Sequence, residues 1–274
     1  MKTENNIGLS NPFNYTGSKH RYLKDLFEIL PKEADLTVCD PFFGGGDLSM
    51  HLPASWAVDA SDMCEQLIEM HVAMQSGVIA VDSVDNVISE NDLSKAGKDE
   101  YYAFRDKYNA NKDPLSLYAL LCHGFSNYLR FNNNGNFHTS HGARTFNRSL
   151  KNKLIDYQNR LKDRDVEFYC KSAFDINFKL YDITLIDPPY LNAIATYNEK
   201  NGWNADLENM LHDKIKSECN KFVYFGQTVS NGIENELLIE FAKNYNVKIL
   251  KTTTENCSST KKKKGETVEV MIWN

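Results

Sequence analysis

The sequence predicts an α/β chain: a mostly parallel sheet covered by helices on both faces, with a mostly helical insertion in its middle. Three observations predict it. Short apolar runs of buried-strand length alternate with segments of helical spacing. Two of these runs end in turn signals, Leu36–Asp40 in a glycine-rich turn and Asp182–Asp187 at Pro188–Pro189. Between about residues 71 and 164 no buried-strand pattern occurs.

In chain order, the first ten residues are polar and read as a frayed start. Lys19–Leu30 has helical spacing. Leu36–Asp40 and Ser55–Asp59 are apolar runs that read as strands, and Cys64–Met74 returns to helical spacing. The insertion follows, with helical patterns in Glu90–Asp113 and Asp113–Leu129. Asp182–Asp187, Lys221–Gly226 and Asn246–Lys251 are again strand-like, with Glu234–Tyr245 helical between the last two. Thr267–Asn274 closes the series, alternating Val268, Val270 and Ile272 with Glu269 and Met271. No internal repeat interrupts this order.

The chain has 274 residues, 42% hydrophobic and 25% charged, which are ordinary globular values. No apolar run reaches the roughly 18–20 residues of a membrane span, and Met1–Ser10 lacks the apolar core of a secretory signal. Six cysteines (39, 64, 122, 170, 219 and 257) form no CxxC pair, so they read as reduced, scattered thiols of a reducing cytoplasm. The net charge of −6 argues at first against a nucleic-acid partner. Its distribution argues otherwise. From His123 to Arg164, eight basic residues (Arg130, Arg144, Arg148, Lys151, Lys153, Arg160, Lys162, Arg164) meet only Asp156 and Asp163, so this segment carries +6 and the remainder −12. Phosphate contacts depend on local charge, so an acidic scaffold with one basic face is expected. Lys261–Lys264 add a second basic run, which also suits a solvated surface loop.

The strongest chemical signal is Ile186–Tyr190, IDPPY, at a strand's carboxyl end, where open α/β sheets bind ligands. Asp187 supplies an acceptor. Pro188 and Pro189 have no N–H, so this stiff turn presents carbonyls. Tyr190 supplies a stacking face. The set suits an amine on a flat ring. Such an amine is a poor nucleophile because its lone pair is conjugated, and acceptors on its two hydrogens stabilise the positive charge that builds during attack. A bare DPP is otherwise a common turn; the strand-end position below a glycine-rich turn favours chemistry.

Asp40–Met50, DPFFGGGDLSM, is that turn. Its glycines let backbone approach a ligand, but it lacks the GxGxxG spacing of a dinucleotide site; a tight β–α turn is the plain alternative. An acid about 20 residues further on is the usual partner of ribose hydroxyls, and Asp59 and Asp62 both qualify, each also a possible helix N-cap. In Asn14–Leu23, Gly17 permits a turn and Lys19 can reach a carboxylate, though such a lysine can equally be solvated. His123–Ser149 mixes aromatics, amides and Arg130, Arg144 and Arg148, which suit phosphates or base edges better than they suit an idle surface loop. His138 and His141 have no third ligand nearby, so no metal is expected.

Together these residues resemble the Dam family of adenine-specific DNA methyltransferases, most closely its T-even bacteriophage members. The resemblance runs from Tyr15 to Asn274, in the family's order: YxGxK (Tyr15–Lys19), DxFxGG (Asp40–Gly45), a target-recognition insertion, then DPPY. Asp113–Phe137, Lys243–Leu250 and the EVxIxN of Glu269–Asn274 match outside the motifs. The resemblance implies a Rossmann-like S-adenosylmethionine-dependent methyltransferase sheet formed by residues 1–70 and 165–274, with 71–164 as a helical target-recognition domain. It implies cofactor contacts at Tyr15, Lys19, Gly44, Asp62 and Asp187, with Phe42 and Phe174 lining the site, and so favours Asp62 over Asp59. It assigns the flipped adenine to Asp187, Pro188 and Tyr190. It assigns DNA contacts to Arg105, Phe125, Ser126, Tyr128, Arg130 and Arg144, with Arg130 reading a guanine of GATC. The chain departs from the family at His138–Gly142, where a proline and an aromatic often precede the glycine, and at Tyr128, often methionine in the phage enzymes.

The reading is transfer of a methyl group from S-adenosyl-L-methionine to the N6 amine of adenine extruded from double-stranded DNA. It needs no covalent enzyme intermediate, no metal and no membrane, and it suits a monomer or weak dimer on DNA in a bacterial or phage-infected cytoplasm. Amine methylation of RNA or protein uses a similar tetrapeptide; the arginine-bearing insertion favours DNA. A non-catalytic DNA-binding relative is disfavoured by intact Tyr15, Lys19, Asp62 and Asp187. A nucleotide-dependent oxidoreductase is disfavoured by the missing GxGxxG.

Overall fold

The computed structural model describes residues 8–13, 15, 17–32, 35–191, 202–253 and 265–274. The Lys261–Lys264 run, Cys257, and Asn14 and Thr16 of the Asn14–Leu23 motif lie outside the described residues.

The elements follow the apolar periodicity. Helix α1 (Leu23–Ile29) precedes strand β1 (Thr37–Asp40), strand β2 (Ala57–Asp62) and helix α2 (Glu65–Gln75). The middle is helical: α3 (Val81–Glu90), α4 (Lys98–Asn111), α5 (Pro114–His123) and α6 (Arg148–Lys162). Asp113 caps α5 by accepting from the Ser116 N–H, with Pro114 in the first turn where no N–H is needed. Asn147 caps α6 in the same way. The chain then gives β3 (Val166–Cys170), β4 (Ile183–Ile186), α7 (Ala205–Glu218), β5 (Lys221–Ser230), the short β6 (Ile233–Glu234), α8 (Glu236–Ala242), β7 (Asn246–Thr253) and β8 (Thr267–Trp273).

The strands form one sheet in the order β3-β2-β1-β4-β5-β8-β7, with β6 on β5. The first five are parallel, β8 runs antiparallel to both its neighbours, and β7 at the edge returns to the direction of the first five. This is the Rossmann-like α/β architecture expected, with one reversed strand next to its edge. Alternation along the strands divides the core between two faces. Val38, Ile183, Leu185, Val223 and Phe225 face α1, α2 and the helical middle. Cys39, Ile186, Phe222 and Tyr224 face α7 and α8.

The site's position follows from topology. After β1 the chain moves to β2 on one side; after β4 it moves to β5 on the other. β1 and β4 are neighbours, with Val38 opposite Ile183. Their carboxyl ends therefore flank the switch point where such sheets bind ligands. The glycine-rich turn leaves one strand and Asp187 the other.

Two features differ from the sequence expectation. Strand β3 lies outside the apolar pattern: it is the sheet's edge, and Glu167, Phe168, Tyr169 and Cys170 are all at least partly exposed, so the apolar run is broken. The expected basic face is also thinner. Lys151 pairs with Asp85, and Arg160 with Asp156 while donating to the Leu9 carbonyl. Arg164 donates to the Leu52 carbonyl. These α6-side cations hold the fold together, while Arg130, Arg144 and Arg148 remain exposed. Helix α2 spans residues 65–75, and α6 packs on it, adding Leu154, Tyr157 and Leu161 to the same core.

Candidate active site and nucleic-acid interface

Asp187 follows β4 directly, and Lys19 reaches it from the other end of the chain. The Lys19 Nζ lies 2.8 Å from Asp187 Oδ2, and the Tyr190 hydroxyl donates to Oδ1 at 3.1 Å. Lys19 is buried, donates also to the Gly17 carbonyl at 2.6 Å, and stands 5.2 Å from the Tyr190 ring centroid. Burial raises the Asp187 carboxyl above the usual carboxylate range, while the Lys19 cation and both hydrogen bonds pull it back down. The site thus holds a desolvated carboxylate whose ionisation depends on one lysine. Pro188 and Pro189 are buried beside it.

The glycine-rich turn has a tighter reason for its glycines than ligand access alone. Gly44 takes φ +52°, and a Cβ there would meet the Tyr15 ring at 2.8 Å. A Cβ on Gly45 would meet the Asn11 amide at 2.1 Å. The segment carrying Tyr15 therefore lies directly on the turn. Asp47 fastens it there, accepting from the Asn11 N–H at 3.1 Å and from the Ser18 hydroxyl. Asp40, fully buried at the end of β1, accepts from Ser49 at 2.7 Å. Its other oxygen has no partner, and burial pushes its carboxyl up to about 7.

The two candidate acids of β2 separate cleanly. Asp59 accepts from the Tyr181 hydroxyl at 2.6 Å. Asp62 instead accepts from the N–H of Gly44 at 3.0 Å and of Cys64 at 2.9 Å, at the rim of the turn. A carboxylate has about four acceptor positions, so beside its backbone bonds acceptor capacity remains for a ligand hydroxyl. Asp62 near the turn, a buried ammonium at Lys19 and the carboxylate of Asp187 form a donor and acceptor set that fits the ribose and amino-acid ends of S-adenosylmethionine. Phe42 is half-buried, edge-on to Trp203 at 5.8 Å, and Trp203 donates to Glu208 at 2.9 Å. Phe174 is half-buried and packs on the α7–α8 side of the sheet.

Residues 124–141 form a narrow hairpin folded onto α4. Gly124 pairs with His141 and Phe131 with Phe137. Its tip turns at Asn132–Asn136, where the Asn132 side chain accepts from two backbone N–H groups and Gly135 has φ +71°. Asn109 of α4 clamps it, accepting from Phe137 N–H at 2.8 Å and donating to Phe137 C=O at 3.1 Å. Tyr101 donates to the Thr139 carbonyl. At the hairpin's base Ser126 and Asn127 both take the left-handed conformation, φ 55° and 54°. Such strain in non-glycine residues is characteristic of functional turns. It presents Phe125 to solvent, 62% exposed. Arg144 donates to the Asn127 side chain at 2.9 Å, and Arg130 lies 4.9 Å from the Tyr128 ring centroid.

A cleft of about 450 Å³ joins the two halves, with Asn11, Tyr15 and Ser18 on one wall and Ser126, Tyr128 and Arg144 on the other. Arg105 is not part of its lining; it stands on α4, 3.7 Å from Asp106 and 4.7 Å from the Tyr102 ring centroid. Asn109 and Trp203 lie in none of the sequence motifs, whereas Asp47 lies in the glycine-rich motif and Asn127 in His123–Ser149, neither distinguished there by its own pattern. Among the described residues no group of three His, Cys, Asp or Glu is placed to hold a metal ion, and no helix is long and apolar enough to cross a membrane. The five cysteines among the described residues are free thiols.

The chain is similar to known methyltransferases. Over its whole length the chain is 33% identical to the type II methyltransferase M.FokI of Planomicrobium okeanokoites, of which it covers 44%. It is 31% identical to the modification methylase StsI of Streptococcus sanguinis, aligning 97% of its own length with 43% of that protein. The chain thus spans less than half the length of these relatives. Among solved structures it shares a TM-score of 0.40 and 10% identity with magnesium protoporphyrin IX methyltransferase (ChlM) from Synechocystis PCC 6803, over 93% of this chain and 79% of that one, too distant to bear on chemistry. The sequence model of one family matches residues 15–256, which include Tyr15–Lys19, the glycine-rich turn, the hairpin and the Asp187 turn. The chain belongs to the D12 class of N6 adenine-specific DNA methyltransferases.

Proposed function

We propose that the chain methylates the N6 amine of adenine in duplex DNA, at GATC in the manner of the Dam enzymes, using S-adenosyl-L-methionine and an adenine flipped from the helix. The observation that carries this reading is the meeting of Asp187, Lys19 and Tyr190 at the switch point, beside a cleft whose far wall is the arginine-bearing hairpin.

The bound sulfonium supplies a methyl group that leaves sulfur as it bonds to nitrogen, releasing the thioether and a proton. The protein's part is to hold the amine. An amine inside the base stack is out of reach, so the base must leave it. Asp187 and the Pro188 carbonyl accept its two hydrogens and stabilise the charge growing on nitrogen; Tyr190 gives the ring a stacking face. Lys19 keeps Asp187 ionised in spite of burial and leaves a hydrogen for the cofactor carboxylate. Asp62 takes the ribose hydroxyls, Tyr15, Gly44, Phe42 and Phe174 enclose the cofactor, and buried prolines help exclude water. Phe125, exposed to solvent, would fill the space an extruded base leaves. Arg130 reads a guanine, Ser126 and Tyr128 contact neighbouring bases, and Arg144 and Arg105 meet the backbone. In this reading residues 1–70 and 165–274 are catalytic and 71–164 read DNA, acting as a monomer or weak dimer on DNA in a bacterial or phage-infected cytoplasm.

The test is transfer of labelled methyl from S-adenosylmethionine to a GATC duplex and to a scrambled duplex. We expect N6-methyladenine in the first alone, lost in Asp187→Ala while DNA binding persists. No labelled adenine on any duplex overturns the reaction; equal labelling of both overturns the GATC assignment.

A further inference from the structure

His71 lies in α2, fully buried, and belongs to none of the motifs described above. Its ring is caged by Phe13 of the N-terminal segment, Phe43 of the glycine-rich turn, Tyr157 of α6 and Phe168 of β3, with centroids 4.8–5.7 Å away. Both its nitrogens are engaged. Nε2 is 2.9 Å from the Gly44 carbonyl oxygen, and Nδ1 is 2.8 Å from the Tyr157 hydroxyl.

These partners determine the proton's position. A carbonyl only accepts, so Nε2 carries the hydrogen. Burial pushes the imidazole down to about 4, so at neutral pH the ring is uncharged, Nδ1 is an acceptor, and Tyr157 donates to it. Gly44 is consequently held on both sides: its N–H by Asp62 and its C=O by His71. A glycine in the left-handed region has the widest choice of conformations to lose, and here both of its polar groups are fixed. Phenylalanine would fill the same cage but strip the Gly44 carbonyl and the Tyr157 hydroxyl of this partner, a recognisable cost for buried groups.

We propose that His71 is a positioning residue for the cofactor: its Nε2–H sets the attitude of the Gly44 peptide and, through it, of Asp62, while Tyr157 fixes the tautomer and ties the turn to α6. Helix α6 begins four residues after Arg144, so the relay also links the recognition segment to the cofactor turn. The inference rests on reading that turn as an S-adenosylmethionine site.

The test titrates S-adenosylmethionine into the full chain and measures steady-state rates with duplex, for wild type, His71→Phe, His71→Gln and Tyr157→Phe. His71→Phe should raise the Kd and KM for S-adenosylmethionine about tenfold, the worth of one lost buried hydrogen bond, with kcat and duplex affinity little changed. His71→Gln, whose amide can donate to Gly44, should recover part of this. Tyr157→Phe should give a smaller rise of the same kind. Nitrogen-15 spectra of the labelled imidazole should show the Nε2–H form, not titrating between about pH 5.5 and 8. Unchanged cofactor affinity in His71→Phe overturns the inference, as does equal loss of cofactor and duplex binding in Phe and Gln alike. Should His71→Phe fail to fold, an imidazole that titrates near pH 6.5 or carries its proton on Nδ1 overturns it. Wild-type protein that binds no S-adenosylmethionine overturns the underlying reading, an outcome distinct from the others.

Discussion

Replacing Lys19 with methionine keeps the apolar stem and deletes the charge, and its effect can be worked from the structure. The Lys19 ammonium is 2.8 Å from Asp187, and the two side chains are 6% and 19% exposed. At an effective dielectric near 20, unit charges about 4 Å apart attract by about 4 kcal/mol. Breaking a buried pair by removing one partner costs about 3–5 kcal/mol. If most of that falls on the transition state, kcat/KM at neutral pH should drop by about 10²–10³. The pH profile carries the diagnostic sign. Burial already raises the Asp187 carboxyl, and Lys19 is the main influence pulling it down. Without Lys19 it rises further, more of it is protonated at a given pH, and a protonated carboxyl is a weaker acceptor for the amine. The acid limb of the rate profile should therefore move to higher pH in Lys19→Met, with part of the activity returning as pH increases. Lys19→Arg keeps the charge and should leave the limb near its wild-type position. Methyl incorporation into duplex, followed across the pH range, measures both. An acid limb that stays in place in Lys19→Met refutes the claim that Lys19 controls Asp187 ionisation.

Asp40 gives a stability prediction of opposite flavour. Its carboxyl is raised from 3.8 to about 7 by burial, so the folded state binds the proton more tightly than the unfolded chain. That contribution is complete below about pH 4 and is lost as pH climbs through about 7. Asp40→Asn should flatten this slope and gain on the order of 2 kcal/mol at pH 8 relative to wild type, read from denaturant midpoints; a slope unchanged by the substitution counts against it. Arg130→Ala should cost about 1–3 kcal/mol of discrimination at a single base pair. Competition between duplexes differing at one position would show this, whereas uniform weakening across all of them would make Arg130 a phosphate contact.

Much of the sheet and of the Asp187 site was legible because its signals are local. Ile183–Ile186 is apolar except for the β-branched Thr184, Asp187–Tyr190 is contiguous, and the glycines of residues 44–46 announce a turn in any context. What was hidden depended on tertiary partners. Strand β3 has one fully buried residue and reads as polar because it is an edge. The occupants of the glycine turn, Tyr15 and Asn11, lie some thirty residues away in sequence. His71 looks like any residue on a helix until Gly44 and Tyr157 are brought to its two nitrogens. Charge counting overstated the basic face because it could not show that Arg160 and Arg164 donate to backbone carbonyls. Asp59 and Asp62 differ only in what surrounds them, Tyr181 for one and the turn's N–H groups for the other.

The adjacency of β1 and β4 has an evolutionary side. Their two functional turns are neighbours in space yet about 150 residues apart along the chain, and closing a longer loop costs only about 0.6 kcal/mol per doubling of its length. Within that stretch the hairpin between α5 and α6 can therefore be lengthened, shortened or exchanged with little penalty to the sheet. On the function proposed above, new DNA preferences would arise by rewriting the hairpin and its α4 clamp while the chemistry stands still. Helix α6 is the part such an exchange must carry over intact, because its Tyr157 holds the histidine that holds the turn.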